Sequence, residues 1–250
     1  MTDPFHSPKR RLARAHEHVS AVKTGLLQFM SGVPHTHFTE PDGNTGFVLH
    51  KVKLAEPIPA EFADRTVEAI EGFRSALDQV VFAASGKGTV KNAYFPIADS
   101  AAELENVIKG RCKDVPADLV SYLRLLRPFK GGGHAIWALN KLCNSGKHKF
   151  LAPVGFASGG MHVHHLATSG VPVELFAPVW DTVKEEMTIL RTGSSGGNLD
   201  YNIDIAFNIV FGDVDGARGE DVIGTIEAIA SNVDKIVSGI ISESERLKLV

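Results

Sequence analysis

The sequence predicts an α+β fold, a helical bundle packed with an antiparallel β-sheet, and three observations lead there. Apolar residues recur at spacings of three and four through much of the first half of the chain and again at its C-terminal end. After about residue 149 the period changes to two. The resulting order, helix, strand, helices, strands, helix, lacks the regular βαβ alternation of a doubly wound sheet.

The first stripe, Leu12, Ala15, Val19, Val22, Leu26 and Phe29, makes an amphipathic helix over 10–30, and Gly32, Pro34 and "EPDGNTG" turn the chain into a loop. "GFVLHKVKL" (46–54) alternates as a strand before "EPIP" stops it. A second helix runs from Pro59 to about Ser85 on Ala63, Val67, Ile70, Leu77, Val81 and Ala84. An extended piece at Tyr94 to Ile97, short helices over 100–110 and 116–127, and a helix from His134 to Ser145 follow. "KFLAPVGF" and "MHVHHLAT" flank "ASGG" and predict a hairpin, and "EEMTILRTG" predicts a third strand. In "YNIDIAFNIVF" Tyr201, Ile203, Ile205, Phe207, Ile209 and Phe211 share one face. Val222, Ile226, Ile229, Val233, Ile236 and Ile240 then form the stripe of a long closing helix.

With 250 residues, 44% of them hydrophobic, the chain is expected to form a single α+β domain over 1–250. Its helical part covers roughly 59–148, its sheet-rich part roughly 149–212, and its C-terminal helix 220–247. A formal net charge of −3 argues against global attraction to nucleic acid or to an anionic membrane, so any anion site must be local. Cys112 and Cys143 form no CxxC, which suits a reducing compartment. No apolar run reaches the ~18 residues of a membrane span, and the basic N-terminus lacks an apolar signal region. A cytoplasmic protein without a membrane partner is the expectation.

Two constellations could carry chemistry. Stepping through Ala63, Val67 and Ile70 lands on Arg74 before Leu77, which places an arginine at a core position. A buried guanidinium needs a carboxylate or a bound anion, and Asp78, one turn on, is within reach. In "NSGKHKF", Asn144, Lys147 and His148 are spaced i, i+3 and i+4, with Gly146 marking a helix end; a cationic helix C-terminus also has a plain macrodipole explanation. On a strand, His162 and His164 of "MHVHHL" point to one side in the manner of a metal-binding pair, with Asp204 as a third ligand from another strand. No cofactor motif is present, because "GSSGGN" lacks the helix that a phosphate loop requires.

"FRSALDQVV", "FPI", "LRPF" and "ALNKLCNSGKHKFLAPV", together spanning about residues 60–155, resemble a group of uncharacterised bacterial proteins with the pattern LRSALDH, FPI, QPY and NxDKHR. The helical part of that group resembles HEPN domains, many of which are metal-independent ribonucleases with an Arg-x4–6-His motif. Arg74, Leu77, Asp78, Asn144, Lys147 and His148 match the pattern, whereas Gln79 stands where the group often has His and Gly146 where it has Asp. Glutamine takes no proton at neutral pH, so the resemblance leaves general acid–base work to His148, with Arg74 and Lys147 stabilising charge.

Three functions follow as expectations. The first is binding of an anionic ligand, a nucleotide or RNA phosphate, by Arg74, Asp78, Asn144, Lys147 and His148. The second is phosphodiester hydrolysis at the same residues. The third is a structural role as a homodimer, in which the polar set is a satisfied core network.

Overall fold

The computed structural model describes residues 3–32, 35–86, 90–145, 154–177, 179–181, 184–193, 198–212 and 214–250, apart from the side chains of 154–160, 204, 206 and 207. The fold is α+β. Its contacts gather into two compact units, one of residues 1–24, 60–153 and 211–250 and the other of 25–59 and 154–210.

The first unit is helical. It holds most of α1 (His6–Ser31), then α2 (Ala60–Ala84), α3 (Leu104–Arg111), α4 (Ala117–Leu125), α5 (His134–Ser145) and α6 (Val222–Arg246). α6 starts where Asp221 accepts a hydrogen bond from the Gly224 amide at 2.6 Å, which satisfies one of the free donors of the first turn. All six apolar stripe residues of α6 are buried, each large side chain contributing roughly 1.5–3 kcal/mol. α2 packs against α5 and α6, and its buried face is broader than its stripe: Phe62, Ala69, Phe73, Ala76 and Val80 are buried too, while Ala63 and Val67 are half-buried. α1 meets α2 closely, because a side chain added at Gly72 would lie 2.9 Å from the Ala15 methyl.

The turn between α4 and α5 rests on its glycines. Arg127 (φ 49) and Gly131 (φ 85) both sit in the left-handed region. A Cβ at Gly132 would meet the Arg127 carbonyl oxygen at 2.4 Å, and that oxygen accepts from the Phe129 and Gly133 amides at 2.8 Å and so cannot withdraw. Gly132→Ala is therefore expected to cost about 2 kcal/mol in a urea transition. Gly133→Ala, whose Cβ would stand 3.4 Å from the same oxygen, should cost less than about 1 kcal/mol. Equal transitions for the two variants would refute this account of the turn.

The second unit is a pair of sheets. β1 (His35–Pro41), β2 (Phe47–Leu54), β6 (Glu186–Gly193) and β4 (Val173–Leu175) lie side by side in that order, and β5 (Trp180–Asp181) also pairs with β6. β2 runs antiparallel to both β1 and β6, and its pairing with β6 shifts register between His50 and Lys51. β3 (Val154–Ser169) pairs with β7 (Asn198–Phe211). Between the sheets Val52, Met187, Ile189, Leu190 and Ile203 form a core, with Met161, Val163, Tyr201 and Ile205 against it.

Two sequence expectations are corrected here. "ASGG" makes no hairpin: β3 continues through it, and the chain turns at Gly170 (φ 73) instead. Glycine tolerates extended backbone as readily as a turn, and fourteen-residue β7 offers a long partner. Residues 35–41, read as loop, form β1, because pairing with β2 supplies what the weak apolar pattern of "HTHFTEP" does not announce.

Candidate anion-binding site

Arg74 is buried, 8% exposed, as its place in the α2 stripe predicts. Its Nη1 lies 3.0 Å from Asp78 Oδ1, at ion-pair distance but off the hydrogen-bonding direction. Nη2 donates to the Phe95 carbonyl at 3.1 Å, and the Phe95 amide donates to Asp78 Oδ1 at 2.9 Å. The two side chains thus clamp the extended segment around Phe95, itself fully buried, onto α2. Arg111 Nη2 lies 3.8 Å from Asp78 Oδ2, and its guanidinium stands over the Tyr94 ring.

Burial lowers the pKa of Arg74 despite the opposing charge of Asp78, and burial raises that of Asp78 despite Arg74 and Arg111. Desolvation outweighs attraction for both partners, so the pair acts to fix the register of α2 against this segment more than to add net stability. Next to it the Cys112 thiol donates to the Tyr94 carbonyl at 3.3 Å, and burial pushes its pKa up to about 11. Such a thiol is no nucleophile at neutral pH.

Of the remaining sequence candidates in this unit, Asn144 is exposed in the last turn of α5, and Lys147 and His148 lie outside the described residues. The structure brings Arg74 and Asp78 together and closes the guanidinium off with protein partners. In the sheet unit the rings of His162 and His164 are neighbours, with centroids 4.5 Å apart, and the side chain of Asp204 lies outside the description. Among the described residues no three His, Cys, Asp or Glu side chains form a group that could hold a metal.

A cleft of about 370 Å³ elsewhere in the helical unit has a different character and is lined by Arg10, Ala13, Arg14, Glu17, His18 and Arg65. Arg10, Arg14 and His18 follow one another at i, i+4 and i+8 and so lie in a row along α1, rising ~6 Å per step. Arg65 comes from α2, brought alongside by the Ala15–Gly72 approach one residue beyond Arg14. Among the described residues none of the three arginines makes an ion pair, and Glu17 is the only carboxylate of the lining. Of the other basic residues of α1, Lys9 pairs with Asp3, His16 with Asp234 and Lys23 with Glu227, and within the cleft His18 lies 3.0 Å from Glu68.

The cleft of about 560 Å³ in the sheet unit is balanced instead. Its Lys51 is held by Glu40 and Glu186, and its Arg191 by Asp42 at 2.9 Å and Glu174 at 3.5 Å. Cations already matched by carboxylates exert little pull on an anion, whereas the three arginines of the α1–α2 cleft have no such match among the described residues. Sequence reasoning missed this second group. The signal was present in "KRRLAR", three arginines within five residues, but their partner Arg65 is 51 positions beyond Arg14 and only the fold brings it near.

No helix among the described residues is long and apolar enough to cross a membrane. Neither a family model, nor a curated protein, nor a solved structure matches the chain.

Proposed function

We propose that this chain binds a phosphate-bearing ligand, a nucleotide or an RNA strand, in the cleft between α1 and α2. The observation that carries the reading is the convergence of Arg10, Arg14 and Arg65 on one cleft with no carboxylate paired to any of them among the described residues. Guanidinium groups present planar forks of donors that match phosphate oxygens, and like charges held this close favour an anion between them. A HEPN-like phosphodiester hydrolase with His148 as general acid–base needs a guanidinium free to meet the substrate. Arg74 is committed to Asp78 and Phe95, so binding is the better supported reading.

The test is fluorescence anisotropy with a short labelled single-stranded RNA and a labelled nucleotide. Three phosphate contacts give a salt slope of about −2, so affinity should fall roughly twentyfold between 50 and 200 mM salt. Arg14→Glu with Arg65→Glu should weaken binding at least ~tenfold while leaving the circular dichroism spectrum unchanged, since both side chains are exposed. Affinity unaltered by the double reversal would remove the cleft as the site, and absence of binding to either probe would remove the function.

A further inference from the structure

We infer that His162 and His164 form a two-imidazole site for a divalent transition-metal cation on the outer face of β3. The alternation of the strand sets the geometry: Met161 and Val163 pack against the core between the sheets, so the residues between and beyond them face outward, and both histidines are exposed. Residues two apart on a strand have Cα atoms ~7 Å apart. The two rings have closed to a centroid separation of 4.5 Å with their planes 75° apart. Imidazole nitrogens that share one cation each stand ~2.0–2.1 Å from it, which requires two rings near one another.

The donor set names the class of ion. Imidazole suits copper, nickel and zinc, with copper(II) bound most tightly, and offers nothing to magnesium or calcium, which require oxygen ligands. Two protein ligands leave the other positions to water, so the affinity is modest and the site is open to exchange. Metal competes with protons for the same nitrogens, so binding falls as the solution is acidified. The side chain of Asp204, expected as a third ligand, lies outside the described residues, and the inference rests on the imidazole pair. The adjacent His165 places its Nε2 3.4 Å from Asp200.

The experiment is isothermal titration of the untagged full chain with zinc, copper(II) and magnesium chlorides, repeated with His162→Ala, His164→Ala and His165→Ala. One equivalent of zinc should bind, copper(II) more tightly, and magnesium not at all. Each of the first two substitutions should weaken zinc at least tenfold and His165→Ala should leave it unchanged. The electron paramagnetic resonance spectrum of the copper(II) form should show coupling to two imidazole nitrogens, lost in both site variants. Uptake that persists in the His162→Ala/His164→Ala variant assigns the metal to others of the eleven histidines and overturns the inference. No zinc uptake at millimolar concentration overturns it equally, leaving an edge-to-face stack of two rings.

Discussion

Replacing Arg74 with alanine is expected to lower the folding free energy by about 3 kcal/mol, read from a urea transition. Removing one member of a buried pair strands the other, and here it also takes away the donor to the Phe95 carbonyl. The loss falls at the low end of the range for buried pairs because the Asp78 side chain is 25% exposed and Arg111 remains 3.8 Å away. Arg74→Met with Asp78→Asn deletes both charges but keeps an acceptor for the Phe95 amide, so it should recover more than half of the loss. Burial raises the pKa of Asp78, so the native state holds that proton more readily than the unfolded chain, and the carboxylate contributes least favourably above its folded pKa. Without Arg74 the pKa rises further. The gap between the single variant and the parent should therefore narrow as the pH falls from neutral into the carboxylate range. A loss below about 1 kcal/mol, or a gap that does not change with pH, would refute the buried-pair account.

Lys51→Met should cost about 2 kcal/mol. Lys51 is 5% exposed, and its ammonium lies 2.7 Å from Glu186 and in contact with Glu40. The methionine fills the same channel but leaves the Glu186 carboxylate, 16% exposed, without its cation. Glu40 is 43% exposed and regains water, which limits the loss. Burial by itself would lower the Lys51 pKa, but the hydrogen bonds and charges of Glu186 and Glu40 reverse this and hold it above the ordinary 10.5. A group whose pKa is raised on folding adds stability that is complete below its unfolded pKa and disappears as the pH climbs through the folded one. The parent protein should lose the contribution of Lys51 above about pH 10.5, and the difference from Lys51→Met should shrink there. Thermal melts of both proteins at pH 8 and pH 11 provide the comparison, and a difference that is the same at both would exclude the ammonium as its origin.

Much of the helical unit was legible because helical periodicity is a local signal. The stripe of α6 named its buried residues correctly, and the arginine that interrupts the α2 stripe proved to be a buried ion with the partner four residues on. The alternation in β7 likewise identified Tyr201, Ile203 and Ile205 as the side facing the sheet core. The path of β3 through "ASGG" and the existence of β1 were not legible, since both depend on a partner strand far along the chain. Nor was the breadth of the buried face of α2, which reflects the several neighbours packed around it.

The amino-acid sequence by itself therefore determined the six helices in outline, the strand periodicity of the second half and the burial of Arg74, all set within one or two turns of chain by side-chain spacing. Tertiary structure alone decided that the Arg74 guanidinium is closed off by the Phe95 segment, that Lys51 is caught between carboxylates from β1 and β6, and that Arg65 stands across a cleft from Arg10 and Arg14. Each of these rests on groups brought within a few ångströms from distant parts of the chain. Spacing along a sequence carries no information about such approaches until packing fixes which faces meet.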